Sequence, residues 1–232
     1  MLENELIISR NVVLEKIIEI FKEKAVEGHI SGSLARGDSD AYSDIDIWFT
    51  FEDNKFDKIK EDRLKYYESI GEIIHICEPP QNAPINGVHS ALIIKDNESL
   101  IILDLYLCSL SNSFITSESK KLFGLDLPLG HMRLNPQKIK VSDDYRINFL
   151  ICFIFNTIKK IKRDIKSPLD DVIREYNNLG KNYNFEIKQI DGSEQTHGTF
   201  KNIIDNIQKV ANERQKKTLF LIHNFAQKIL NF

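Results

Sequence analysis

One stretch constrains this chain more than any other: Asp44-Ile45-Asp46-Ile47-Trp48-Phe49-Thr50. Ile45, Ile47 and Phe49 fall on one side of an extended backbone, and Asp44, Asp46, Trp48 and Thr50 on the other, the period-2 alternation of a strand with one buried face. Asp is depleted in strand interiors, and two on one face repel each other unless a cation intervenes. Residues i and i+2 of a strand lie about 6.5–7 Å apart along it. That spacing lets two carboxylates converge on one hard cation or on a metal pair ~3.5–4 Å apart. The bland reading is an edge strand with a solvated face, against which Trp48 on the acidic side argues.

The surrounding pattern sets the fold class. Val13, Ile17, Phe21 and Ala25 repeat at helical spacing, predicting a helix over 11–25 capped by Ser9 or Asn11 and ended near Gly28. Val26–Ser31 reads as a strand entering the Gly32-Ser33 turn, 33–37 as a helical turn, and 56–69 as a surface helix. Ile70–Cys77 is a further strand. Residues 80–87, with Pro80 and Pro84, make a loop. Val88–Lys95 and Leu100–Leu107 read as a hairpin joined by Asp96–Ser99. Residues 111–141 look irregular, with Pro128, Gly130 and Pro136.

From Asp143 to Lys166 a helix is expected, its stripe formed by Ile147, Ile151, Ile154, Ile158, Ile161 and Ile165. Helical stretches at about 168–180 and 200–230 follow, separated by a polar loop containing Asp191-Gly192. Strands first and helices afterwards predict an α+β chain. A mixed sheet with flanking helices occupies 1–110, a connecting segment 111–142, and an all-α bundle 143–232.

Leu103-Asp104-Leu105 adds a third carboxylate, costly in an apolar strand unless paired or metal-bound. If that strand lies beside 44–50, Asp44, Asp46 and Asp104 come together, an oxygen ligand set of the kind Mg²⁺ prefers. Gly32 permits close backbone approach. Ser33 adds a hydroxyl, and Arg36 either reaches a phosphate or braces the acidic loop. The Lys-Ser/Thr ending of a P-loop and the three glycines of a dinucleotide fingerprint are both missing.

With Gly32-Ser33, ten intervening residues, Asp44-Ile45-Asp46 and the later Asp104, the sequence resembles the nucleotidyltransferase superfamily of the polymerase-beta type over about residues 12–107. The resemblance implies that Asp44 and Asp46 bind one or two Mg²⁺ ions. Gly32 and Ser33 would hold a nucleoside triphosphate, ATP being the expected donor, with Arg36 a further nucleotide contact. Asp104 is either a third metal ligand or the base for the acceptor hydroxyl. The implied reaction is attack of a hydroxyl on the α-phosphate with release of pyrophosphate.

Size and a helical C-terminal half look most like the bacterial aminoglycoside and lincosamide nucleotidyltransferases. They point to a small hydroxylated antibiotic as acceptor. Some members place a catalytic Glu in the helical part; Glu175 and Glu194 are available, and no motif singles either out. A protein side chain (an AMP-transferring toxin or regulator) and an RNA 3′ end are the alternative acceptors. A degenerate nucleotide-binding scaffold is the alternative outside catalysis. Dimers are common among the similar enzymes, and nothing in the sequence demonstrates one here.

Composition trims these options. A net charge of −3 argues against holding long nucleic acid by bulk electrostatics. The longest apolar run, Phe149–Phe155, is seven residues, against ~20 for a membrane helix; with an acidic N-terminus, a reducing cytoplasm is expected. Cys77, Cys108 and Cys152 read as reduced core residues, and His75 with Cys77 as packed core. His89 and His131 read as exposed polar residues near loops. Lys159, Lys160, Lys162, Arg163 and Lys166 read mostly as a solvated helix face, and Phe149, Phe153 and Phe155 as bundle core.

Overall fold

The computed structural model describes residues 2–131, 142–165, 169–185 and 193–230. Pro136, Lys166, Asp191-Gly192 and the side chain of Glu194 lie outside the described residues. The chain divides into two compact units, Met1–Ile139 and Lys140–Phe232.

The first unit is built on a six-stranded mixed sheet. Its strands are β1 (Glu27–Ser31), β2 (Ile45–Phe51), β3 (Glu72–Cys77), β4 (Val88–Asp96), β5 (Ser99–Ser109) and β6 (Lys120–Gly124). Their spatial order is β3-β4-β5-β2-β1-β6. The expected hairpin joins β4 to β5, with Asp96 opposite Ser99 and Asn97 in a left-handed turn conformation (φ 53°). β2 runs parallel to β5 and antiparallel to β1, so the acidic strand is central, not an edge.

Helices α1 (Leu2–Lys22) and α3 (Asp53–Glu68) cover the Ile45/Ile47/Phe49 face. Phe21 of α1 packs on Phe49 and Phe51, with ring centroids 4.9 and 5.8 Å away, and Phe56 of α3 stacks on Phe51. α1 starts well before residue 11. Leu6, one heptad ahead of Val13, extends the buried stripe upstream, and Ser9 is buried inside the helix, not at its cap. β6 is a strand inside the span expected to be irregular. Its Lys-Lys start conceals a pairing supplied by β1, not by its own apolar pattern.

The second unit comprises α4 (Asp143–Lys162), α5 (Asp170–Tyr183), α6 (Ser193–Val210) and α7 (Glu213–Leu230). Ile147, Ile151, Ile154 and Ile158 are buried as the stripe requires. Ile165 falls beyond the helix end, past a left-handed Asp164 (φ 53°), and is 41% exposed. The single stretch expected over 200–230 is two helices. Asn212 and Gln215 form a reciprocal capping box, each side-chain oxygen accepting from the other's backbone N–H (3.0 and 2.8 Å), which starts a new helix.

Phe155 is core, edge-on to Phe225, while Phe149 and Phe153 are half-buried. Lys159 departs from the solvated face: it is buried, its ammonium 5.7 Å from the Phe155 ring centroid. Lys160 pairs with Asp171 at 2.9 Å. Cys77 and Cys108 are buried and Cys152 half-buried, all three as free thiols. Among the described residues no helix is long and apolar enough to cross a membrane.

Candidate active site

The site lies on the sheet face opposite α1 and α3, where β1 hands over to the short helix α2 (Gly32–Arg36). Gly32 sits in the left-handed region at φ +64°, and a Cβ there would lie 2.4 Å from Asp46 Oδ2. Only a residue without a side chain lets the turn adopt this conformation and run against the carboxylate. Gly37 ends α2 at φ 81°, again left-handed, but with open space around it.

The chain then reaches the acidic strand through a pinned loop. Asp40 Oδ1 accepts from the Tyr42 backbone N–H (2.9 Å) and the Ser43 hydroxyl (3.0 Å), and Ser43 Oγ accepts from the Asp40 N–H (2.9 Å). This Asx-type turn is clamped from α1 by the buried Arg10, whose Nη1 donates to the Asp40 carbonyl. Asp44 follows immediately and directly precedes β2.

The parallel pairing of β2 with β5 settles where Asp104 falls: it is the register partner of Asp46. On the other side Asp46 is opposite Ser31. Both carboxylates are half-buried. Burial first, then the charge of Asp104, push Asp46 up from 3.8 to about 6, partly offset by the His89 and Arg36 side chains. A half-buried carboxylate pair of this kind favours a cation between or beside its members. Among the described residues, no three His, Cys, Asp or Glu groups form a ready-made metal cage. Asp46 and Asp104 are the two carboxylates that could hold a divalent cation at this point, an oxygen pair that waters and phosphate oxygens can complete.

Arg36 is exposed and braces acidic residues, Nε donating to Asp38 (3.3 Å) and Nη1 to Glu118 (3.4 Å). Those bonds, Asp38 first, raise its pKa. In the second unit the Glu175 carboxylate lies beside Arg174 (3.4 Å).

Beneath the acidic row runs a row of rings that sequence reasoning missed. His29, Trp48, Tyr106 and His89 come from β1, β2, β5 and β4, each opposite the next in register. Their planes are nearly parallel, at 8°, 5° and 11°, with centroids 5.8, 4.0 and 4.4 Å apart. His89 is not the exposed loop residue its neighbours suggested. It is 5% exposed on β4, and its Nε2 lies 2.8 Å from Asp104 Oδ1. At the other end, His29 Nδ1 lies 3.0 Å from the buried Glu27 carboxylate, which also accepts from Thr50. Burial, then the charges of Asp104 and Asp46, push the Tyr106 hydroxyl far above its usual range, so it stays protonated.

Trp48 was visible in the alternation, but its partners required the strand order. His131 is exposed, as expected, at the rim of a pocket of about 250 Å³ shared with Phe114 and Leu129. His75 and Cys77 are buried.

Residues 14–98 match the model of the nucleotidyltransferase domain family. No curated protein matches the chain. The matched segment takes in Gly32, Ser33, Arg36, Asp44, Asp46 and His89 and stops short of Asp104. With the mixed sheet and its flanking helices, it supports placing the first unit with the nucleotidyltransferase superfamily and the chain among the transferases.

Proposed function

We propose that this protein transfers a nucleoside monophosphate, AMP from ATP, to a hydroxyl of a small acceptor, with release of pyrophosphate and dependence on Mg²⁺. The observation that carries the reading is the register pair Asp46–Asp104, set against a Gly32 turn that leaves no room for a side chain. In this proposal Asp46 and Asp104, with Asp44 at the start of the same strand, hold one or two divalent cations. Such an ion supplies neutralisation of the triphosphate and polarisation of its α-phosphate. Gly32 and Ser33 bring backbone and hydroxyl donors to the phosphate tail, and Arg36, on the same turn, is placed to exchange an acidic partner for a phosphate oxygen.

The acceptor is proposed to be a hydroxylated antibiotic of the aminoglycoside or lincosamide kind. The −3 net charge supports a small acceptor over a long nucleic acid. The test incubates the full chain with Mg²⁺, labelled nucleoside triphosphates and a panel of antibiotics, proteins and tRNA. D46N serves as the inactive control. Label on an antibiotic, abolished in D46N, is the expected result. Label only on protein or only on tRNA overturns the acceptor assignment, and no transfer to any acceptor overturns the reaction.

A further inference from the structure

We propose that His89 is a positioning residue that sets the Asp104 carboxylate for a divalent cation. The inference rests on the nucleotidyl-transfer reading, in which Asp46 and Asp104 share that ion. Three observations carry it.

First, the contact is direct and buried: His89 Nε2 to Asp104 Oδ1 is 2.8 Å, with the imidazole 5% exposed. It is a diagonal cross-strand contact. The residue directly opposite Asp104 on β4 is Ala91, whose small side chain leaves the space into which His89 reaches from the adjacent row.

Second, the proton on the ring has one place to be. Nδ1 is buried and has no hydrogen-bond partner among the described residues. An N–H buried there would lack an acceptor, whereas Nε2–H faces a carboxylate oxygen. His89 therefore donates to Asp104 Oδ1, and Oδ2 has no hydrogen-bond partner among the described residues.

Third, the ring cannot easily turn. It is stacked on Tyr106 at 4.4 Å and 11°, and Tyr106 on Trp48 at 4.0 Å and 5°. A donor locked in this way holds one oxygen of Asp104 and leaves the other for a metal, as hydrogen bonds to metal-ligating groups commonly do. The residue directly facing Asp104 on the other side, Asp46, is acidic, so among the described residues the donor that reaches Asp104 is His89.

The test titrates full-length protein with Mn²⁺ alone and reads binding by calorimetry, so no acceptor or turnover is needed. His89→Phe keeps an aromatic ring in the stack and deletes the donor. His89→Gln gives up the ring and keeps an N–H able to reach Asp104. The expected result is Mn²⁺ affinity lowered about 10–100-fold in H89F and largely restored in H89Q. The fluorescence of Trp48, the single tryptophan, checks that the stack survives in H89F.

Unchanged affinity in H89F, with D46N losing binding, overturns the role of His89 and leaves the cation pair standing. Equal loss in H89F and H89Q also overturns it, because the ring and not the donor would then matter. If H89F fails to fold, the H89Q titration decides: wild-type affinity supports the donor, and weakened affinity in a folded H89Q overturns it. Wild-type protein that takes no Mn²⁺ overturns the inference together with the reading it rests on.

Discussion

Gly32→Ala is the sharpest perturbation available, because two separable penalties meet at one position. The first is conformational. At φ +64° an L-residue is in the left-handed region, at a cost of about 1–2 kcal/mol. The second is steric: the new methyl would lie 2.4 Å from Asp46 Oδ2, about 1 Å inside ordinary contact. The backbone is fixed by β1 on one side and α2 on the other, so the carboxylate is the part that moves. A misplacement of about 1 Å in a catalytic constellation costs on the order of 100-fold in rate.

Gly37→Ala provides the control. It carries a comparable φ of 81° with nothing within 4 Å of the added methyl, so it pays the conformational penalty alone. G37A should lose about 1–2 kcal/mol, a fall of roughly 2–8 °C in Tm for a chain of this size, and G32A should lose more, by the cost of its clash with Asp46. Only G32A should also lose nucleotidyl transfer. Urea unfolding followed by Trp48 fluorescence reads the first unit, and pyrophosphate release reads transfer. A stability cycle with D46A isolates the clash: G32A should cost less in the D46A background than in wild type. Equal cost in both backgrounds, or G32A as active as G37A, would refute the argument that Gly32 is required by Asp46.

Two further outcomes follow from particular contacts. Asp46 is raised from 3.8 to about 6, so between those values the folded chain keeps a proton that the unfolded chain releases. Its contribution to stability therefore falls as pH rises through that window. Metal-free wild type should lose stability relative to D46N between about pH 4 and about pH 7.5 in urea titrations, and Mg²⁺ at the upper pH should restore wild type alone. In the second unit, Gln215 caps α7 and its amide also donates to Asp144 Oδ1 and Asn148 Oδ1, both at 3.0 Å. Q215A should cost about 1–3 kcal/mol in thermal unfolding while leaving Mn²⁺ binding untouched.

The acidic strand and the turn ahead of it were legible because their signals are local. Alternation from Asp44 to Thr50 specifies a strand with one buried face whatever its neighbours, and Gly32-Ser33 announces a turn by composition alone. The regular elements follow for the same reason, from apolar period and turn residues. What was illegible depended on partners. β6 has no pattern of its own and exists because β1 offers it an edge. The capping box that separates α6 from α7 sits inside an otherwise continuous helical stretch.

The sequence by itself determined which residues could do chemistry: two carboxylates on one strand face, a third in another strand, and a glycine turn ahead of them. It could not determine that Asp46 and Asp104 are partners, because they are 58 positions apart and meet only through the parallel register of β2 and β5. Nor could it show His89 in the site, since a histidine one residue into a strand looks the same whether it faces water or a carboxylate. Tertiary structure decided both. Sheet order brings β4, β5, β2 and β1 side by side, and register then places each side chain opposite one partner. Local periodicity fixes the face on which a side chain lies, while pairing across the sheet fixes what it meets there.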